Sequence, residues 1–342
     1  MRAMARTSLV TGGLGFVGAH LVDALRRRGD EVRVLDVRDQ GPRADVDYRK
    51  VDIGDAEAVR AASVGADVVF HNASLVHTKH NRIADVWRVN HTGSQNILAA
   101  CRTNGVRRLV YVSSASVVYN GRDIENGDES LPYATTNQAP YADSKIAAEK
   151  LILAANSPEL ATVSLRPHVI FGPGDRRFLP AVLAHARAGR LRVQVGRGTW
   201  LSDYTYVDNL IDALLIAGDR LEPGAAIGGR AYFITNGEPM TFWEFVRRVL
   251  VGLGYPPPRH TVPKALAYAA ATVRETFDTL VRGGTLHAEE GVSRFAIRYI
   301  CTHHYFSHAK ATRDLGYRPQ VDMIEGIRRT IEHFRATGAA AA

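Results

Sequence analysis

The sequence predicts an α/β protein: a doubly wound parallel sheet with helices on both faces and a smaller, mostly helical C-terminal lobe. Three observations carry this. A short apolar strand near the start, Ser8–Thr11, runs into a glycine-rich turn that opens a helix. Strand and helix patterns then alternate as far as residue 166, and Val68-Val69-Phe70 and Leu109-Val110-Tyr111-Val112 are continuously apolar, as strands covered on both faces are. After Pro167 the alternation breaks. Repeated βαβ units with right-handed crossovers build such a sheet.

In order, strand Ser8–Thr11 leads to a helix over Phe16–Arg28, and strand Glu31–Leu35 to a loop. A short strand near Tyr48–Asp52 precedes a helix around Ala56–Ser63. Strand Asp67–Asn72, a helix beginning near Ala84, a helical stretch Gly93–Asn104, strand Arg108–Ser113, helix Tyr141–Ala155 and strand Ala161–Arg166 follow. Phe171-Gly172-Pro173-Gly174-Asp175 is a turn before a helix from about Phe178 to Gly189 and a strand Arg192–Val195. Helix Val207–Gly218 and strand Ala231–Thr235 read as returns to the sheet. Thr241 is placed to cap a helix reaching Leu253, with Glu244 at the capping-box position. Three prolines, 256–258, then stop regular structure, and a last helix at about Asp322–Phe334 sets Met323, Ile327, Ile331 and Phe334 on one core-facing side. The expected organisation is a first domain at 1–175 with returning segments at about 203–236, a lobe formed by 176–202 and 237–338, and a frayed tail at 339–342. In Val262–Arg282, Leu266, Ala269, Ala270, Val273, Phe277 and Leu280 recur at helical spacing. A core helix of the lobe is the favoured reading, and an apolar lid or a membrane-surface contact the alternative.

The glycine turn is the first chemical signal. A helix N-terminus carries unpaired N–H groups and about half a positive charge, so it attracts an anion. Gly12-x-x-Gly15-x-x-Gly18, with Phe16 and Val17 opening the helix, lets the backbone turn tightly, approach a pyrophosphate and pack closely on the sheet. An ordinary strand–helix turn has the same glycines. Asp36, closing the second strand, separates the two readings: an acid there accepts hydrogen bonds from adenosine ribose hydroxyls and repels a 2′-phosphate.

Composition bounds the rest. With 342 residues, 46% hydrophobic and 23% charged, the chain can bury a large core, and it contains no repeat or low-complexity linker. The net charge of +8 arises from 43 basic and 35 acidic residues. The clusters Arg26-Arg27-Arg28, Arg107-Arg108 and Arg328-Arg329 lie at helix or strand ends and read as solvated faces, and no basic run is interleaved with aromatics, so nucleic acid is not an expected partner. Cys101 and Cys301 form no disulfide framework, which favours a reducing compartment. No apolar run approaches the roughly 18–20 residues of a membrane span. The first strand begins too early for a signal peptide's apolar region, so a cytoplasmic location is expected.

Tyr141-Ala142-Asp143-Ser144-Lys145 carries the reactive chemistry. Residues four apart share a helix face, so Tyr141 and Lys145 point to one side. A free tyrosine titrates near ~10, and a neighbouring ammonium lowers that value and makes Tyr141 a usable acid or base. Strand Arg108–Ser113 runs into Ser113-Ser114-Ala115-Ser116 at the carboxyl edge of the sheet, where ligands collect. A serine there can stabilise negative charge on a substrate oxygen; Ser114 is the first choice and Ser116 the reserve. His77 and His80, and His303, His304 and His308, raise the question of metal, but none forms a ligand pattern, so no metal site is expected.

Thr11-Gly12-x-x-Gly15-x-x-Gly18, Ser114 and Tyr141-x-x-x-Lys145, in this order, resemble the extended short-chain dehydrogenase/reductases, over nearly the whole chain. That resemblance implies a Rossmann fold and a Ser–Tyr–Lys mechanism in which Tyr141 exchanges the proton, Ser114 polarises the substrate oxygen and Lys145 orients the nicotinamide ribose and tunes Tyr141. It further implies that Asn90 supports the lysine through a water, that Asp52-Ile53 contact adenine, that Asn72-Ala73-Ser74 lie along the cofactor, and that Pro167-His168-Val169 lie beside the nicotinamide. Ser114-Ala115-Ser116-Val117-Val118, Leu165–Asp175 and Tyr305–Ala311 resemble the 3β-hydroxysteroid dehydrogenase group, similar to sterol-4α-carboxylate 3-dehydrogenases and to bacterial 2-alkyl-3-oxoalkanoate reductases. The implied substrate is bulky and apolar, with Ser116, Arg166, His168 and Arg176 as the residues that could meet it or its carboxylate. Asp36 favours NAD(H), while the nearby Arg38 keeps NADP within reach. The family also implies a homodimer through helices near Asp85–Cys101 and Tyr141–Ala155. Two rivals stand beside this reading: a nucleotide-sugar epimerase or dehydratase of the same fold, against which the apolar stretch Val262–Arg282 argues, and a cofactor-sensing regulator without catalysis, against which Tyr141 and Lys145 count.

Overall fold

The computed structural model describes residues 6–77, 82–135, 139–282 and 293–338. The first half runs β1 (Thr7–Thr11), α1 (Phe16–Arg28), β2 (Glu31–Asp36), β3 (Asp47–Lys50), α2 (Ala56–Ala62), β4 (Val68–His71), α3 (Ile83–Trp87), α4 (Gly93–Thr103), β5 (Arg108–Val112), β6 (Ile124–Gly127), α5 (Pro140–Ala154) and β7 (Ala161–Pro167). Then come β8 (Ile170–Phe171), α6 (Phe178–Arg187), β9 (Val193–Val195), β10 (Leu201–Ser202), β11 (Thr205–Tyr206), α7 (Val207–Arg220), β12 (Arg230–Ile234), β13 (Met240–Thr241) and α8 (Phe242–Gly252). The chain closes with β14 (His260–Val262), α9 (Lys264–Arg282), α10 (Arg294–Ile300), β15 (His304–Phe306), α11 (Ala309–Leu315) and α12 (Met323–Ala336).

The main sheet has seven strands in the order β12-β7-β5-β4-β1-β2-β3, all parallel. Strand order reverses between β1 and β4, and a crevice at such a switch point is where ligands bind in open α/β sheets. The pleat explains the continuously apolar strands. Val10, Phe70, Val110 and Val163 enter one core with α1 and α7, while Leu9, Val69 and Leu109 enter the other with α2, α4 and α5.

Several local signals decide as sequence dictates. Gly29 ends α1 in the left-handed conformation, and Arg26, Arg27 and Arg28 occupy its last turn, where cations favour the helix dipole. Thr241 Oγ1 accepts the Glu244 N–H at the start of α8. In α12, Met323, Ile327 and Phe334 are buried and Ile331 packs against them.

Other features were not legible. Between α3 and α4, residues Arg88–Thr92 form a π turn instead of continuing the α-helix. The small strands have two to four residues, too few to show a period. They form a four-stranded sheet β13-β10-β15-β6, which draws β6 from the first half of the chain, and two pairs, β11-β8 and β14-β9. Helix α11 packs back on β12 and α7 of the main sheet.

Helix α9 corrects the reading of Val262–Arg282 as a core helix. Leu266, Val273, Phe277 and Leu280 are exposed to 62%, 70%, 56% and 79%. The face turned inward carries Ala267, Tyr268 and Ala271, packed on Val195, Trp200, Ile297 and Cys301. The periodicity is real, but alanines and Tyr268 face the lobe while Leu266, Val273, Phe277 and Leu280 face out. Among the described residues no helix is long and apolar enough to cross a membrane. His80 and the tail at 339–342 lie outside the described residues.

The glycine turn has no spare room. A Cβ on Gly18 would fall on the carbonyl oxygen of Gly12 and the Cα of Gly13, both backbone and unable to yield cheaply. Gly18→Ala should therefore lower unfolding free energy by about 1–3 kcal/mol in urea denaturation. An unchanged midpoint would contradict this close approach.

Candidate active site

A cavity of about 870 Å3 opens along the carboxyl edge of the main sheet at the β1–β4 switch point. Gly12, Gly15, Phe16, Val17, Asp36, Asp52, Ile53, Asn72, Ala73 and Ser74 all line it. Gly18 does not line it, and its part is to let α1 close on its own turn. Gly12 has φ +67°, and a Cβ there would lie 2.9 Å from the Ala73 Cα, so the turn is a backbone cradle that side chains would fill. Thr11 Oγ1 accepts the N–H groups of Asn72 (3.1 Å) and Ala73 (3.0 Å), binding the β4 exit to the cradle. Asp36 accepts the Leu14 N–H at 3.1 Å and pairs with Arg38 at 3.2 Å. Asp52 accepts from Arg88 and from the Gly54 N–H, both at 2.8 Å. An N–H cradle at a helix start, followed by a carboxylate at the end of β2 and apolar walls, fits a dinucleotide.

Deeper in the same cavity stand Ser114, Ser116, Tyr141 and Lys145. Ser116 donates to Ser114 Oγ twice, from its N–H (3.2 Å) and its hydroxyl (2.9 Å). With both acceptor positions taken, Ser114 keeps its own proton as a donor. Ser114 and Ser74 stand beside the Tyr141 phenol and favour its ionised form. Lys145 donates to the Val112 carbonyl oxygen at 2.6 Å and lies 4.2 Å from the Tyr111 ring centre.

Burial shapes both reactive groups. It raises the Tyr141 pKa, against which Ser114, Ser74 and the charge of Arg177 pull it down. Burial also draws Lys145 down to about 7, with Glu149 opposing. A water-poor pocket disfavours both phenolate and ammonium, and the ammonium is directed to Val112 rather than to the phenol.

Asn90 also acts at one remove. Its side chain accepts from Ser74 Oγ (3.1 Å) and the Leu75 N–H (2.7 Å) and donates to Ser144 Oγ (2.9 Å), so it is a positioning residue.

Pro167 and Val169 line the cavity, but His168 turns away into the lobe. Its Nδ1 bonds the Asp203 carbonyl (2.7 Å), its Nε2 the Tyr299 hydroxyl (2.7 Å), and burial lowers its pKa to about 3. A neutral, fully engaged imidazole cannot meet a substrate carboxylate, so that assignment falls. Val169 sits at φ 33°, a left-handed conformation that a β-branched residue rarely adopts, and such strain collects at functional sites. Arg166 is withdrawn too: it forms a buried ion pair with Glu149 at 2.6 Å. Arg176 lines the cavity but bonds the Leu14 carbonyl (3.2 Å), which places it at the glycine turn and away from the reacting end. The residues that sequence reasoning missed are Arg177, Tyr119, Phe295 and Tyr299. Arg177 directly follows a candidate, and Asp175 caps the backbone there by accepting from Arg177, Phe178 and Leu179. The aromatic side chains had no signal, because the chain delivers them from far apart. They, and not the outward stripe of α9, are what argue against a polar sugar site.

The cradle and the Ser–Tyr–Lys group beside it define an oxidoreductase of the extended short-chain dehydrogenase/reductase type. Residues 9–264 match the model of the 3-beta hydroxysteroid dehydrogenase/isomerase family, and the chain belongs to that family. A 2-alkyl-3-oxoalkanoate reductase of Stenotrophomonas maltophilia (strain K279a) is 40% identical over 333 residues, 94% of this chain and 97% of that one. The decarboxylating sterol-4-alpha-carboxylate 3-dehydrogenase of Mus musculus is 36% identical over 332 residues, 96% and 91% of the two chains. The solved structure of MoeE5 in complex with UDP-glucuronic acid and NAD superposes with a TM-score of 0.76 at 25% identity, covering 97% of this chain and 99% of that one.

The Glu149–Arg166 pair supports the floor of the site. Burial pushes the Glu149 carboxyl up, but the hydrogen bonds and charge of Arg166 outweigh it and hold the pKa below its ordinary 4.5. A depressed carboxylate contributes stability above its unfolded pKa and loses it as pH falls through the folded one. Glu149→Gln leaves Arg166 buried without its counter-ion and should cost about 3–5 kcal/mol at neutral pH, with a shallower loss of stability on acidification than the parent. Urea titrations at neutral and acidic pH measure both.

Proposed function

We propose that this protein interconverts a 3-hydroxy and a 3-keto group on a bulky apolar substrate that carries a carboxylate near the reacting carbon, using NAD(H). The observation that carries the reading is the convergence of Ser114, Tyr141 and Lys145 in one cavity whose lining includes Tyr119, Phe295 and Tyr299 and, on its other side, Arg177, whose charge acts on Tyr141. The names of the relatives, a sterol carboxylate dehydrogenase and an oxoalkanoate reductase, support a carboxylated substrate. NAD(H), when bound, supplies or accepts the hydride. Ser114 donates its remaining proton to the substrate oxygen and stabilises charge developing there. Tyr141 gives the proton in reduction and takes it in oxidation. Lys145 lines the same cavity and offers its other ammonium protons to a ribose hydroxyl. Asp36 supports NAD over NADP, and its pairing with Arg38 softens that preference. The reading includes a cytoplasmic homodimer formed across the helices near Asp85–Cys101 and Tyr141–Ala155, where Trp87 is exposed.

Tyr141→Phe should retain NADH binding by fluorescence titration yet lose about 100-fold or more in kcat. Retained turnover would sink the assignment. Because burial raises the Tyr141 pKa, the phenol persists through neutral pH. Ketone reduction should therefore stay level there and fall only under alkaline conditions, while alcohol oxidation rises with pH. Paired kcat/KM profiles in the two directions check the sign.

Arg177→Leu should raise KM for a 2-alkyl-3-keto acid about tenfold or more while leaving that for its neutral ester and for NADH near the parent values. Equal effects on acid and ester would remove the carboxylate from this reading.

A further inference from the structure

We infer that the phenol oxygen of Tyr299 is a subsite for a hydroxyl group that the substrate carries away from its reacting carbon. The inference follows from the direction of the protons in the aromatic wall of the cavity. His168 Nδ1 lies 2.7 Å from the Asp203 carbonyl oxygen, which can only accept, so the ring proton is on Nδ1. Burial keeps the imidazole neutral, so Nε2 has a lone pair and no proton. The Tyr299 hydroxyl, 2.7 Å from Nε2, therefore donates to it. Tyr119 obeys the same logic. Thr302 directs its one hydroxyl proton to the carbonyls of Arg298 (3.0 Å) and Tyr299 (3.3 Å), so the Tyr119 hydroxyl, at 2.9 Å, donates to Thr302. Both chains end on a backbone carbonyl. Neither can pass a proton on, so neither phenol serves as an acid, and each oxygen has only lone pairs left to offer the cavity that both side chains line.

The wall is also held still. Tyr299 stands edge-on to Tyr119 with ring centres 5.2 Å apart, lies 4.2 Å from the His304 ring and stacks on Phe295 at 5.8 Å. Burial, with the phenols of Tyr119, Tyr204 and Tyr141 nearby, pushes the Tyr299 pKa upward, so the donated proton stays on its oxygen. A fixed acceptor in an apolar surface sorts ligands by the sense of the hydrogen bond. An O–H is taken, while a carbonyl, ether or carboxylate oxygen meets it lone pair to lone pair. The opposite holds at Ser114, whose Oγ accepts twice from Ser116 and keeps its own proton to give. A ketone therefore suits Ser114 and not Tyr299, and a carboxylate suits Arg177 and not Tyr299. Ketone, carboxylate and hydroxyl of one substrate are thus sent to three places, which fixes how a long apolar skeleton lies in the cavity. His168 touches no substrate and is a positioning residue, acting through the hydrogen bond it accepts from Tyr299. This subsite deepens the proposed function and rests on its substrate class.

Calorimetric titration of the full chain in the presence of NAD+, which has no hydride to give, tests this apart from turnover. The probes are 2-alkyl-3-keto acids with one hydroxyl moved carbon by carbon along the long chain, each beside its deoxy and methyl-ether counterparts. At one position the hydroxyl compound should bind about 3–10-fold tighter than the deoxy acid, and the ether no tighter than the deoxy acid. Tyr299→Phe should erase that preference and leave the deoxy acid at the parent affinity. His168→Phe frees the Tyr299 proton to turn into the cavity, so there the ether should gain on the hydroxyl compound. The subsite is overturned by the absence of any preferred position, by a preference that survives Tyr299→Phe or is unchanged in His168→Phe, or by an equal loss for hydroxyl and deoxy acids in Tyr299→Phe. Turnover of the same acids with NADH is measured separately. Absent turnover with the binding preference intact removes the proposed reaction and leaves the subsite, whereas turnover without any preference does the reverse.

Discussion

One chain of buried hydrogen bonds ties the glycine turn to the reactive tyrosine. Thr11 Oγ1 meets His71 Nδ1 at 2.8 Å, His71 Nε2 meets Ser94 Oγ at 2.9 Å, and Ser94 donates to the Asn90 carbonyl at 2.6 Å. From Asn90 the path continues through its side-chain amide to Ser144 Oγ (2.9 Å), whose hydroxyl donates to the Tyr141 carbonyl (2.8 Å). Burial, with the charge of Lys145 adding to it, lowers the His71 pKa to about 3, so the imidazole is neutral and has one donor and one acceptor. Because Ser94 already donates onward, the proton is assigned to Nε2 and Thr11 donates to Nδ1. The chain therefore runs in a single direction, and each link orients the next. It joins the ends of β1 and β4, the π turn and α5. Where a pyrophosphate would lie and where a proton is exchanged are thus set by one rigid unit.

Much of this was legible. The glycines with Asp36, and the four-residue spacing of Tyr141 and Lys145, are local patterns with a mechanical meaning, and the structure brings them into one cavity. Ser114 and Ser116 were readable because a strand end in a parallel sheet has a known place. Side-chain direction was harder. Arg166 and His168 flank Pro167 at the site, yet one is drawn to Glu149 and the other to Asp203 and Tyr299. All three partners are distant in sequence, so no local pattern announces them. Helix α9 shows the same limit: period reveals which residues share a face, and only tertiary packing says which way that face looks.

Low dielectric organises the site's charges in two ways. Glu149 and Arg166 stay ionised because each satisfies the other, and Ser164 adds a hydrogen bond to the carboxylate at 2.7 Å. Lys145 has no such counter-ion in contact and is held by a carbonyl and an aromatic face. The same burial that fixes one ammonium near the titration range of neutral water keeps the phenol protonated. Both groups are thereby poised to move protons, not to rest as permanent charges.

The π turn at Arg88–Thr92 has a consequence for how this fold tolerates length change. A π turn holds one residue more than an α turn over the same rise, so deleting a single residue there would leave a continuous, well-bonded helix. Because the extra residue is held within one turn, the helix on either side would keep its orientation. Asn90 lies inside that turn, so Asn90 itself would move off Ser74 and Ser144, and the directed chain would be cut at its middle. In a plain α-helix a one-residue gap turns everything beyond it by about 100°. Here the change would stay confined to the few residues that align the site.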